Sequence, residues 1–94
     1  MRRLGRVKLV TRSRNFLVQL SGPINRDLKN MVVVDENLRV IGVVRDIIGP
    51  VRSPYALVKV LIPLDEAEDY VDRVIYLPSK SELRLLRPPR RANV

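Results

Sequence analysis

Histidine and cysteine are both absent from this sequence. Without histidine the chain lacks the side chain most used for proton transfer near neutral pH and the commonest metal ligand. Without cysteine it can form no disulfide, thiolate nucleophile or cysteine zinc site, so the usual supports of small secreted domains are missing and an intracellular home is expected. Five serines occur, none in a nucleophile-elbow pattern and none with a histidine to act as base. The acidic cluster Asp65, Glu66, Glu68, Asp69 and Asp72 lacks the glycine and alternating oxygen ligands of a calcium loop. No catalytic residue, cofactor or metal is therefore expected. Long apolar runs are missing too, each broken by charge or proline short of membrane-spanning length, and the Arg-rich start has no signal-peptide core. A soluble, unprocessed chain is the expectation.

Ninety-four residues suffice for one domain, whose small core stabilises it only modestly, so a permanent partner would help. The net charge of +8 is unevenly placed. Residues 1–14 carry six basic side chains and no acidic one, and residues 84–94 carry four and none. The body, residues 15–83, holds eight basic against ten acidic, a net charge of −2. Arg2, Arg3, Arg6, Lys8, Arg12 and Arg14 at one end, and Arg84, Arg87, Arg90 and Arg91 at the other, could touch phosphate or could simply form a solvated basic surface. Aromatics are scarce: Phe16, Tyr55, Tyr70 and Tyr76 are all there are, in no RNA-binding motif with stacking residues. Weak, unspecific RNA contact is favoured over sequence recognition.

Strand patterns dominate what is present. Leu4–Val10 and Asn15–Leu20, parted by Thr11-Arg12-Ser13-Arg14, predict a hairpin with Val7 and Leu9 opposed to Arg6 and Lys8. Met31–Val34 and Leu38–Ile48, parted by Asp35-Glu36-Asn37, predict a second. Gly49-Pro50 and Ser53-Pro54 bracket a turn before a strand over Tyr55–Ile62. Acidic residues after Pro63 suit a short helical turn, Val74–Leu77 is the last clear strand, and Ser79 with Glu82 has capping-box spacing, so Leu83–Leu86 is a helical turn or a strand. Beyond Pro88-Pro89 a loose tail is expected, giving a barrel domain over 1–77 and a basic, partly disordered extension over 78–94. Five or six strands with hardly any helix point to an all-β antiparallel barrel.

Two strands are apolar on both faces. Leu38–Ile48 splits into Leu38, Val40, Gly42, Val44, Asp46, Ile48 and Arg39, Ile41, Val43, Arg45, Ile47, neither cleanly polar. Tyr55–Ile62 splits into Ala56, Val58, Val60, Ile62 and Tyr55, Leu57, Lys59, Leu61. A sheet with one solvated face should alternate, and a small barrel has only one interior, so something covers the second face. Either Leu83, Leu85 and Leu86 fold back over it or a partner does, and the two can coexist.

The run Asp35–Lys59 resembles the signature of the Gar family, the glycine-arginine-rich-protein subunit of H/ACA pseudouridylation complexes. The matching elements are Ile41-Gly42, Val44, Asp46-Ile47, Gly49-Pro50-Val51, Pro54-Tyr55 and Val58-Lys59, preceded by Gly5-Arg6-Val7 and Pro23-Ile24-Asn25. The resemblance implies a six-stranded barrel of the translation-protein/reductase-isomerase-elongation-factor type. It implies a non-catalytic subunit in rRNA pseudouridylation and ribosome biogenesis, docking on the dyskerin-like synthase catalytic subunit near the loop that grips substrate RNA. Guide and substrate RNA would be touched only indirectly or weakly. The docking residues would lie around Ile47, Ile48, Gly49, Pro50, Val51, Pro54 and Tyr55, with Ile41 and Val43 on the same strand. Absence of glycine-arginine-rich tails suggests an archaeal, cytoplasmic setting, nucleolar in a eukaryote. Asp72-Arg73 departs from the family by standing where glycine is frequent.

Physical chemistry gives these positions similar work. Gly49 permits a tight bend, Pro50 and Pro54 stiffen the loop so that less entropy is lost on docking, and Tyr55 is a rigid hot-spot type. An ordinary turn would use the same residues. Val34-Asp35 followed by Leu38–Asp46 also resembles the opening hairpin of PRC-barrel adaptors in ribosomal RNA processing, and a stand-alone RNA-binding barrel is the third alternative.

Overall fold

The computed structural model describes residues 1–22 and 28–89. Six strands close into an antiparallel barrel in the order β1-β2-β5-β4-β3-β6, with β6 returning to β1. The strands are β1 Arg2–Val10, β2 Asn15–Leu20, β3 Val32–Val34, β4 Val40–Ile48, β5 Tyr55–Val60 and β6 Val74–Leu77. A five-residue helix, α1 Leu64–Glu68, follows Pro63, and a 3-10 turn spans Lys80–Leu85. Closure leaves no long free edge except at β3, which meets β6 only through Val34 and Tyr76.

The interior is filled mainly by Val7, Phe16, Val18, Val33, Ile41, Val44, Ala56, Val58 and Ile75, all fully buried. On β5 the two expected faces separate: Ala56, Val58 and Val60 are buried while Tyr55, Leu57 and Lys59 face outward. Gly42 explains the Ile-Gly-x-Val element, since a Cβ there would lie 2.6 Å from the Lys59 carbonyl oxygen and from Val58. Its absence lets β4 and β5 approach.

Four β-bulges change the phase of the side chains, the one between β1 and β6 skipping Leu4. Pairing of β1 with β2 skips Lys8, so Val7 points in and Leu9 points out. Leu9 is 45% exposed, a correction to the shared face expected from simple alternation. Pairing of β4 with β5 skips Arg45, so Val44 faces the core with Val58, Asp46 faces out with Leu57, and Ile47 faces in with Ala56. Pairing of β3 with β4 skips Ile41. A strand with bulges is apolar in both alternating sets because its inward face changes set part-way along.

The β3–β4 turn is held by Asp35, whose Oδ1 accepts the amides of Asn37 and Arg39 at 2.8 and 3.1 Å. Its Oδ2 accepts the Tyr70 hydroxyl at 2.8 Å. Arg39 pairs with Glu66 of α1, and Arg73 pairs with Glu36 while stacking over the Tyr70 ring. These contacts tie α1 and the bend before β6 to the β3–β4 turn.

The extension is structured as far as Pro89. Ser79 donates its amide to Glu82 Oε1 at 2.8 Å, the capping box expected from their spacing, and the N-terminal ammonium of Met1 also pairs with Glu82 at 2.9 Å. These bonds hold the Glu82 carboxyl down at about 2. The chain then extends, and Arg87 bridges Arg39 in parallel through hydrogen bonds to Leu38 and Val40. The extension therefore folds back along the start of β4. Leu83 and Leu85 stay exposed, so they do not cover the β4–β5 wall. The tail from residue 90 lies outside the described residues.

Candidate partner-docking site

The loop joining β4 to β5 stands at one end of the barrel, beside the end of β2, where the Leu20 amide donates to the Pro54 carbonyl. Gly49 takes φ of +92°, a conformation costly for any residue with a Cβ. Pro50 then opens a turn closed by the Ser53 amide on the Pro50 carbonyl at 3.2 Å, which puts Val51 and Arg52 at the tip. Val51 is 96% exposed, although it is aliphatic. Ile48, 41% exposed, and half-buried Tyr55 face each other as a pair at the base of this loop, and Pro54 is half-buried beside them.

Ile48, Gly49, Pro50, Val51, Pro54 and Tyr55 are thus gathered at one end and reach solvent. Three expected docking residues are not so placed. Ile41 is fully buried in the core, at the bulge opposite β3, and cannot meet a partner. Ile47 packs against the core because the Arg45 bulge turns it inward. Val43 faces outward, half-buried, between Val32 and Lys59. Leu9, Leu17 and Leu57 line the outer wall, and none was expected to dock. Leu9 could not have been found by alternation, but the apolar outward set of β5 already contained Leu57.

The basic residues proposed for RNA do not form one track. Arg2 and Arg3 lie at the loop end of the barrel, whereas the Thr11–Arg14 turn lies at the other end, beside Lys59 and Val60. The length of β5 separates them, about 20 Å. Arg87 lies at the far end too, against Leu38 and Val40. The Arg6 guanidinium donates to the Asp72 carbonyl. Arg90, Arg91 and the Pro23-Ile24-Asn25 element lie outside the described residues.

Among the described residues no three His, Cys, Asp or Glu side chains cluster as metal ligands, and no helix is long and apolar enough to cross a membrane. No family model and no curated protein matches the chain.

Proposed function

We propose that this chain is a non-catalytic accessory subunit of an H/ACA RNA-guided pseudouridine synthase, docking on the catalytic subunit through the β4–β5 loop. The observation that carries the proposal is a stiffened loop with a bare aliphatic tip: Val51 is 96% exposed between Pro50 and Pro54. A docking loop gains from an apolar anchor held ready at little entropic cost. The Gly49-Pro50-Val51 and Pro54-Tyr55 elements on which the Gar resemblance rests are the same residues.

Chemistry belongs to the partner in this proposal, so the subunit acts on a motion. A barrel that contacts the substrate-gripping loop better in one position shifts its population by the difference in contact energy. Such a bias alters RNA loading and product release more than bond chemistry. In a reconstituted complex, omitting this chain should slow multiple-turnover pseudouridylation much more than the first turnover. Tyr55→Ala should give a weaker form of the same defect. An equal fall in both rates would mean that the subunit assembles the active site, and the release mechanism would be abandoned.

A further inference from the structure

Residues paired across a sheet point the same way, so outward side chains line up in rows around the barrel wall. One row runs Leu9, Leu17, Leu57 across β1, β2 and β5 and ends at Asp46 on β4. The adjacent row runs Arg6, Gln19, Tyr55, Ile48. Together they make an apolar stripe of Leu9, Leu17, Leu57, Tyr55 and Ile48 that crosses four strands and reaches the Val51 tip.

Its border is cationic. Lys8 and Arg45 stand exposed at the β1–β2 and β4–β5 bulges, Lys59 follows Leu57 on the outer face of β5, and Arg52 shares the tip with Val51. None of these four forms an ion pair among the described residues. Asp46 is the one acid on β1, β2, β4, β5 and the turns that join β1 to β2 and β4 to β5, and its Oδ1 accepts the neighbouring Ile47 amide. Asp65, Glu66, Glu68, Asp69 and Asp72 lie on and after α1, and the Asp72 amide donates to the Val7 carbonyl of β1.

We infer that the wall stripe centred on Leu17 and Leu57 is a second part of the docking surface, and that it takes a protein face with an apolar centre and an acidic border. The inference rests on the docking function proposed above and extends it from the loop to the wall. A second copy of this chain is the wrong occupant, because two cationic borders would meet. RNA would engage the cations but leave the aliphatic centre of Leu9, Leu17 and Leu57 against water, with Tyr55 the one ring of the stripe on which a base could stack.

Association and dissociation of the chain with a purified H/ACA synthase catalytic subunit, at low and high salt, decide the matter. The double variant Arg45→Glu, Lys59→Glu should associate about tenfold more slowly at low salt, with the difference shrinking as salt rises. Leu57→Asp should dissociate at least about tenfold faster while its thermal melt stays near that of the parent. Lys80→Glu, away from the stripe, should change neither rate. Unchanged rates for the wall variants, with Val51→Asp still weakened, would overturn the wall inference and leave loop docking intact. Absence of any binding by the parent chain would sink the proposed function instead, and the wall is then decided by the free chain. Sedimentation should find a monomer at every salt concentration. A dimer dissolved by Leu57→Asp, or binding of a single-stranded RNA that the same variant abolishes, would overturn the inference in either case.

Discussion

At Asp72 the backbone takes φ of 70°, in the left-handed region where a Cβ is unfavourable and aspartate is tolerated better than most residues. Its amide donates to the Val7 carbonyl at 2.7 Å and its carbonyl accepts from Arg6, so the bend is held by backbone groups that glycine would keep. Asp72→Gly should therefore stabilise the chain by about 0.5 kcal/mol, a rise of roughly 2–4 °C in Tm by calorimetry. A lower Tm would mean that the carboxylate contributes more than the strain costs. Tyr70 offers a second test at this scale. Burial and its hydrogen bond to Asp35 push the hydroxyl from 10.0 up to about 12. Between pH 10 and 12 the unfolded chain gives up this proton while the folded chain keeps it, so stability present below pH 10 is lost as pH rises through that window. Tyr70→Phe should cost about 1 kcal/mol at neutral pH and show a shallower decline above pH 10 in denaturant titrations. An unchanged alkaline slope would show that Tyr70 does not titrate with unfolding.

The strands of this barrel are built around bulges, and these decide which side chains face solvent. Ile47 and Ile48 are neighbours of the same type on β4, yet the Arg45 bulge sends the first toward Ala56 and the core and the second toward Tyr55 and solvent. Ile47→Asp should accordingly destabilise the barrel by several kcal/mol, on the order of the penalty for an unpaired buried charge, whereas Ile48→Asp should melt near the parent. Parallel thermal melts check both, and equal losses would place the bulge wrongly. The β1–β2 and β3–β4 hairpins, the capped turn at Ser79 and the division of β5 into two faces were legible because each depends on local alternation or on a short-range motif, whereas the order of the strands around the barrel depends on distant pairings. The faces of Leu9, Ile41 and Ile47 were not, because one extra residue in a strand leaves no mark in the alternation before it and reverses everything after. The polar tie from Asp35 to Tyr70 was hidden for another reason: 35 residues separate its partners, and Tyr70 belongs to no motif.

Acidic residues are sparse on the strands that carry the stripe. The β2–β5–β4 wall carries Arg45, Arg52 and Lys59 around an apolar stripe with the single acid Asp46, while Asp65, Glu66, Glu68, Asp69 and Asp72 lie on α1 and the bend that follows it. A barrel this small buries little, so a wide apolar wall and an exposed aliphatic loop tip are costly in a free chain and become favourable once covered. The central claim is that a synthase catalytic subunit provides that cover. Calorimetric titration of the purified chain into an isolated archaeal H/ACA synthase catalytic subunit, without RNA, tests it most directly. The account predicts one-to-one binding that Val51→Asp weakens at least about tenfold while leaving the thermal melt of the free barrel unchanged. No heat of binding at any temperature or salt concentration, or binding that Val51→Asp leaves untouched, would contradict it.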